Sequence, residues 1–230
     1  MEGSRLSPVA RDRSRHAAPQ IVEVLREEIL GLVLSPGTAL ARADLQDRFR
    51  VSSTPVRDAL LRLQEEGLVD VFPQHATLVS LIDLESARQA QFLRRSIESE
   101  IARVLAEEAD PALVARLRAL VDQQGWLAER GDYDRFAAVD LEFHKTMYDA
   151  AHVPELWAIV RRQSGHIDRL RRLHLPVEGK ASQVVGDHAA IVDAIAGKQP
   201  AAAQGCVRDH LSKSIAFSTA IRDRHPSYFR

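Results

Sequence analysis

The sequence predicts a mainly α protein, an N-terminal winged helix-turn-helix followed by an antiparallel six-helix bundle. Between residues 19 and 82, helix-like stretches lead into a pair of short strand-like runs. From Asp83 onward the strand pattern disappears, and apolar residues recur at helical spacing between short breaks. With 230 residues, 45% of them hydrophobic, the chain can bury one small core and one larger core.

The first 18 residues differ from the rest of the chain. They contain four arginines among glycine, proline, serine and alanine and show no apolar period, which predicts a disordered arm. Residues 1–82 carry ten Arg against eleven Asp and Glu, and the whole chain has a formal net charge of -1. Any nucleic-acid binding must therefore depend on local patterns rather than on global charge.

The first helix of the domain at 19–82 is predicted from apolar residues at Ile21, Leu25 and Ile29. It ends before the turn residues Ser35-Pro36-Gly37. A short second helix spans Arg42 to Phe49.

A turn at Arg50-Val51-Ser52 leads into a third helix, for which Thr54 is the predicted N-cap and Pro55 the first helical residue. Gly67 ends this helix. Two strand-like runs follow, and this order of elements is that of a winged helix-turn-helix. The runs are Leu68 to Phe72 and Thr77 to Leu81.

Six helices are predicted for residues 83–230, because turn and helix-breaking residues separate the periodic stretches. Short connections between antiparallel helices make a bundle. The predicted helices are 84–108, 112–130, 133–151, 154–174, 180–197 and 200–223.

The start of the third helix has the residue types of a DNA-reading surface. In a helix-turn-helix this end faces base edges in the major groove, and the preceding turn contacts the backbone. Arg57 is placed to contact guanine, while Ser53 and Thr54 reach a phosphate or a thymine methyl group. The alternative is that Arg57 pairs with a carboxylate such as Asp58. Further arginines are predicted to contact phosphates, and these are Arg42, Arg48 and Arg50.

The stretch from Ile21 to Val79, with Val51-Ser52-Ser53-Thr54-Pro55-Val56-Arg57-Asp58 and Glu66-Gly67-Leu68, resembles the N-terminal domain of GntR-superfamily regulators. The helical remainder is similar to the FCD-type ligand-binding domain of the FadR-like branch. The resemblance implies a DNA-binding regulator with a metal-binding and ligand-binding domain behind its winged helix.

The chain departs from the family pattern at three places. Ser53 stands where arginine is usual, Arg42-Ala43 where an acidic residue and arginine are usual, and Ala76 where glycine is usual. We therefore expect an operator that differs from the commonest family pattern. His75 at the wing is predicted to enter the minor groove, with an exposed histidine of no role as the alternative.

Asp140, His144, His188 and His210 are the candidate metal ligands. Asp140 and His144 lie four residues apart and so share a helix face, and the other two histidines lie on later helices. Such a set can hold a divalent ion inside a bundle, although an Asp and a His at this spacing also stabilise helix surfaces. The resemblance implies the metal site, because FadR-like ligand domains carry this pattern. We expect Zn²⁺, with Ni²⁺ or Mn²⁺ as alternatives.

The resemblance further implies a small carboxylate effector near the metal. Arg94 matches a family position followed four residues later by a glutamate, here Glu98, and a guanidinium can pair bidentately with a carboxylate. A structural pair between Arg94 and Glu98 is the alternative. His166 is either an effector-binding residue or a packed core histidine.

We expect a ligand-responsive regulator that is a homodimer and binds a double-stranded DNA operator. The resemblance implies repression relieved by an organic acid, and activation stays open. A metal-dependent enzyme acting on a small carboxylate is the alternative, against which no nucleophile and base pair is recognisable. A protein-interaction module is a third class. A single cysteine, Cys206, and the lack of an apolar run of bilayer length predict a cytoplasmic protein.

Overall fold

A computed structural model describes Val9, Asp12 and residues 14–72 and 75–230. The predicted disordered arm at 1–18 falls mostly outside the described residues, and α1 already begins at Ala17. The chain divides into two compact units. The first, here called the winged unit, comprises Met1–Asp83 and His225–Arg230, and the second, the bundle, comprises Leu84–Arg224.

The winged unit has the predicted order of elements. They are α1 (Ala17–Leu30), α2 (Arg42–Phe49), α3 (Ser53–Glu65), β1 (Val69–Phe72) and β2 (Ala76–Val79). Helix α3 begins at Ser53 with Ser52 as N-cap, so the predicted start at Pro55 is two residues late. Pro55 is tolerated there because the first-turn amides of a helix have no partner within the helix.

The wing is an antiparallel hairpin in which Val69 pairs with Val79 and Phe72 with Ala76. The chain after α1 supports it from the other edge of β2. Gly37, with φ +85, donates its N–H to the carbonyl of Val79 at 2.8 Å. A side chain at this backbone angle would be strained, which explains glycine in the turn.

Two partly buried ion pairs hold the winged helices together. Arg26 on α1 binds Glu66 after α3, and Arg48 on α2 binds Glu28 on α1 at 2.5 Å. The Arg48 side chain is only 5% exposed, so it stabilises the fold and is not placed to contact a phosphate. This corrects the prediction that grouped Arg48 with the phosphate-binding arginines.

The last six residues return to the winged unit. The N–H of Ile82 donates to the carbonyl of Tyr228 at 2.7 Å, and the N–H of Arg230 donates to the carbonyl of Ile82 at 3.2 Å. Phe229 is buried, and Arg230 forms an ion pair with Asp83. The predicted domain 83–230 therefore ends too late, because a pairing between residues so distant in sequence leaves no local pattern.

The bundle consists, in the described chain, of eight helices. They are α4 (Leu84–Glu108), α5 (Pro111–Glu129), α6 (Tyr133–Ala150), α7 (Pro154–Gln163), α8 (Gly165–His174), α9 (Lys180–Ala196), α10 (Pro200–Ala216) and α11 (Ser218–Arg224). No helix in the described residues is both long and apolar enough to cross a membrane.

Two of the six predicted bundle helices are each divided. The predicted helix 154–174 breaks at Ser164, which is followed by Gly165. The hydroxyl of Ser164 donates a hydrogen bond to the carbonyl of Val160 at 2.8 Å. A serine bonding back to the helix, next to glycine, is a common cause of a kink. The predicted helix 200–223 breaks at Phe217. The mainly helical fold with a winged N-terminal region is confirmed.

Candidate metal centre and DNA-binding surface

Apart from the buried Arg48, the predicted DNA-contacting side chains lie on the surface of the winged unit. They are Arg42, Arg50, Ser53, Thr54, Arg57 and His75. Arg57 lies in the first turns of α3, with 63% of its side chain exposed and its Nε atom 3.6 Å from Asp58 Oδ1. Exposed ion pairs of this kind contribute less than about 1 kcal/mol. The Arg57 guanidinium can therefore exchange Asp58 for another acceptor at little cost.

Three of the predicted metal ligands meet inside the bundle. His144 on α6, His188 on α9 and His210 on α10 are buried, and one ring nitrogen of each lies within 4.8 Å of the others. The two Nε2 atoms of His188 and His210 are 3.2 Å apart. We call these three residues the histidine cluster.

Asp140, the fourth predicted ligand, lies beside the cluster. One of its oxygens, Oδ2, accepts a hydrogen bond from Arg171 at 2.6 Å, and the other, Oδ1, lies 3.8 Å from His188 Nε2. Asp140 Oδ1 and His144 Nε2 are both buried without a hydrogen-bond partner. Buried ligand atoms without hydrogen-bond partners fit a divalent cation, and imidazole with carboxylate is a common ligand set for one.

Each histidine of the cluster faces a different polar side chain through its other nitrogen. His188 Nδ1 is hydrogen-bonded to Gln124 Oε1 at 2.8 Å. His144 Nδ1 lies 2.8 Å from Glu98 Oε2, and His210 Nδ1 lies 3.5 Å from Asp187 Oδ2. Gln124 and Asp187 were not predicted from the sequence, because neither stands in a recognisable spacing with the histidine that it contacts.

The carboxylates around the cluster are each bound to a cation. The pairs are Asp140 with Arg171 at 2.6 Å, Glu98 with Arg94 at 2.8 Å and Asp187 with Lys213 at 2.6 Å. Burial acts to raise the pKa of Asp140, but Arg171 and the histidines outweigh it and hold that pKa well below its usual value. The site is therefore electrically balanced by the protein alone.

Burial lowers the pKa of His188 well below its ordinary value and that of His210 to about 4. Both rings are therefore neutral near pH 7. A neutral imidazole is the form that binds a metal ion, so neither ring needs to release a proton when a metal binds.

The two predicted effector-binding residues are also buried. Arg94 forms the structural pair with Glu98 that was the alternative to effector binding, yet its Nη2 atom is buried without a hydrogen-bond partner. Tyr148 donates its hydroxyl to the same carboxylate at 3.3 Å. His166 Nδ1 lies 3.1 Å from Arg169 Nη2. Arg94 is thus joined through Glu98 to the histidine cluster, whereas His166 contacts a separate buried arginine.

Two family models match the chain. The model for bacterial regulatory proteins of the gntR family matches residues 17–79, and the model for the FCD domain matches residues 89–213. The matched ranges fall within the winged unit and the bundle. The second match covers more than half of the chain.

Individual proteins agree with these matches. An uncharacterised HTH-type transcriptional regulator in an unstable DNA locus of Streptomyces ambofaciens is 35% identical over 205 residues, covering 89% of this chain and 86% of that protein. The HTH-type transcriptional repressor RspR of Escherichia coli strain K12 is 27% identical, covering 91% and 92%. The structure of Escherichia coli McbR/YncC aligns with a TM-score of 0.76 at 21% identity, covering 90% and 98%, which indicates a shared fold.

Proposed function

Because the chain belongs to the gntR family of bacterial regulatory proteins and continues into an FCD domain, we propose that it is a repressor controlled by a small organic acid. It is a DNA-binding transcriptional regulator and not an enzyme, because the proteins of both families and its relatives are transcriptional regulators. The proposal adds the mode of regulation, the ligand class and the residues involved.

DNA recognition is assigned to the start of α3. Arg57 is exposed in the first turns of this helix, where a guanidinium can contact guanine bidentately. Ser53 and Thr54 lie beside it, and Arg42 and Arg50 are exposed for phosphate contacts. The absence of the usual arginine at Ser53 places more of the specificity on Arg57.

The metal is assigned to Asp140, His144, His188 and His210. Three imidazoles and one carboxylate favour borderline cations, so we propose zinc, with nickel and manganese as alternatives. When bound, the ion supplies uncompensated positive charge and coordination positions that an anionic oxygen can fill.

The balanced charge around the cluster is the observation that carries the organic-acid assignment. Every carboxylate that contacts the histidine cluster already has its own cation, so a divalent ion adds charge that the protein does not neutralise. Uncompensated charge in a buried site is costly, and an anionic ligand removes that cost. Arg94, whose Nη2 atom lacks a partner, offers the ligand a second contact.

We further propose that the functional form is a homodimer that binds two operator half-sites. Helix-turn-helix dimers read sites whose spacing follows the symmetry of the protein. A ligand that binds one arrangement of the dimer better than another shifts operator affinity by that difference. The relative RspR is a repressor, which supports repression here.

The test measures operator affinity of the zinc-loaded and metal-free protein against mono-, di- and tricarboxylates. The operator is a duplex selected from a random pool, and free zinc is buffered so that chelation by the acids does not empty the site. We expect one class of acid to weaken DNA binding of the zinc-loaded protein and to have no effect on His144→Ala. An equal effect on metal-free protein, or no effect of any acid, would contradict the proposal.

A further inference from the structure

Gln124 on α5 is fully buried and hydrogen-bonded to the histidine cluster. Its Oε1 atom lies 2.8 Å from His188 Nδ1. An amide oxygen can only accept a hydrogen bond, so the imidazole proton is held on Nδ1. The other nitrogen, Nε2, is then the one with a free electron pair, and it faces His210 Nε2 at 3.2 Å.

Packing alone does not explain a glutamine at this position. Its Nε2 atom is buried without a hydrogen-bond partner, and an unsatisfied buried amide group destabilises a fold. An apolar side chain of similar length would fill the same volume without that cost. The amide oxygen is therefore retained for its contact with His188 rather than for stability.

The partner of His188 also differs in kind from those of the other two histidines. His144 and His210 face the carboxylates of Glu98 and Asp187, which raise the electron density of an imidazole that donates to them. Gln124 orients its ring without adding charge. A carboxylate in place of Gln124 would give all three rings a charged partner, but no cation among the described residues is shown beside this position to pair with it.

We propose that Gln124 is a positioning residue of the metal centre, which holds His188 in the Nδ1–H tautomer so that Nε2 binds the ion. This inference rests on the proposed metal-binding function. Removing the amide oxygen frees the ring to take the other tautomer, in which Nε2 carries the proton and cannot bind a metal. Partners of this kind typically change metal affinity about 10- to 100-fold.

The experiment compares wild type with Gln124→Met, Gln124→Glu and the matched control Gln123→Met. Gln123 is the exposed neighbour of Gln124 on the same helix, so its substitution reports effects unrelated to the cluster. Two quantities are measured on folded full-length protein, namely the Co²⁺ dissociation constant from visible absorption and the His188 tautomer from ¹⁵N chemical shifts without metal.

We expect Gln124→Met to bind Co²⁺ about 10- to 100-fold more weakly and to lose the pure Nδ1–H tautomer. Gln124→Glu keeps an acceptor at the same position, so its Co²⁺ affinity should be at least that of wild type. Gln123→Met should match wild type in both measurements.

Unchanged Co²⁺ affinity in Gln124→Met would overturn the proposal, as would a wild-type His188 that carries its proton on Nε2. If Gln124→Met does not fold, the tautomer in wild type and the affinity of Gln124→Glu decide the question. Wild-type protein that binds no Co²⁺ would instead contradict the metal-binding function itself, which keeps the two failures apart.

Discussion

Arg57 in the winged unit leaves 63% of its side chain exposed, whereas Arg94 in the bundle leaves 3%. Arg57 pairs with the next residue, Asp58, and Arg94 pairs with Glu98, four residues away. Solvent screens the exposed pair and does not screen the buried one. The exposed arginine can leave its partner for DNA. The buried arginine is fixed in place before any ligand arrives, because an unpaired charge in the core is strongly destabilising.

The largest effect is expected from breaking the buried pair. Glu98→Ala leaves Arg94 buried without its carboxylate and should lower the free energy of unfolding of metal-free protein by about 3–5 kcal/mol. Glu142→Ala, which breaks the exposed pair with Arg116, should cost less than about 1 kcal/mol. Urea denaturation measures both, and equal losses would remove the distinction between buried and exposed pairs.

The pH dependence of stability tests the burial of His174 in the bundle. Burial, followed by Lys180 and Arg224, lowers its pKa from 6.5 to about 4. Between these values the unfolded chain binds a proton that the native chain does not, so stability falls as pH decreases, by at most about 3 kcal/mol. His174→Leu should flatten this part of the pH dependence of urea unfolding, and the exposed control His152→Asn should not. A wild-type slope in His174→Leu would contradict this assignment.

Deleting residues 225–230 tests whether the winged unit depends on a distant segment. The deletion exposes the surface that Phe229 covers and removes the hydrogen-bond partners of Ile82, which should destabilise this unit by about 1.5–3 kcal/mol. Hydrogen exchange measures the change, with faster exchange expected at the Ile82 amide. Phe229→Leu is the milder control, and unaltered exchange after deletion would show that the segment does not stabilise the unit.

Arg57→Ala tests the exposed side of the comparison. We expect a loss of about 1–3 kcal/mol in operator binding and weaker discrimination at one base pair. Arg62→Ala, an exposed arginine near the other end of α3, is the matched control and should bind nearly as wild type. Fluorescence anisotropy with the selected operator measures both, and similar losses would mean that Arg57 does not read a base.

The smallest effect is expected at a phosphate contact. Arg42→Ala should weaken binding to all sequences alike and reduce the slope of log affinity against log salt by about 1. Arg116→Ala, which removes an exposed arginine of the bundle, should leave the slope unchanged. An unaltered slope in Arg42→Ala would exclude a phosphate contact at this position.

Local sequence patterns predicted much of the winged unit. The bounds of α2, at Arg42 and Phe49, follow from apolar spacing, and the structure has the same bounds. The boundary at α3 was displaced because Ser52 is the N-cap and not Thr54. Serine and threonine are both good N-cap residues, so sequence alone does not choose between neighbouring candidates.

In the bundle, the sequence indicated the candidate metal ligands but not the side chains that contact them. Asp140 and His144 share a helix face by their spacing, and the structure brings His144 together with His188 and His210. Gln124 lies 64 residues from the histidine that it contacts. No periodicity connects residues so far apart, and the breaks at Ser164 and Phe217 are similarly absent from the apolar pattern.

The sequence by itself determined which segments are helical, where the wing lies and which donor residues a metal centre could use, because these depend on local spacing and residue chemistry. The tertiary structure alone decided that Arg48 is buried and Arg57 exposed, and that the C-terminal residues pair with Ile82. Burial and long-range pairing arise only when distant segments pack together. The same residue type can therefore stabilise the core at one position and face solvent at another.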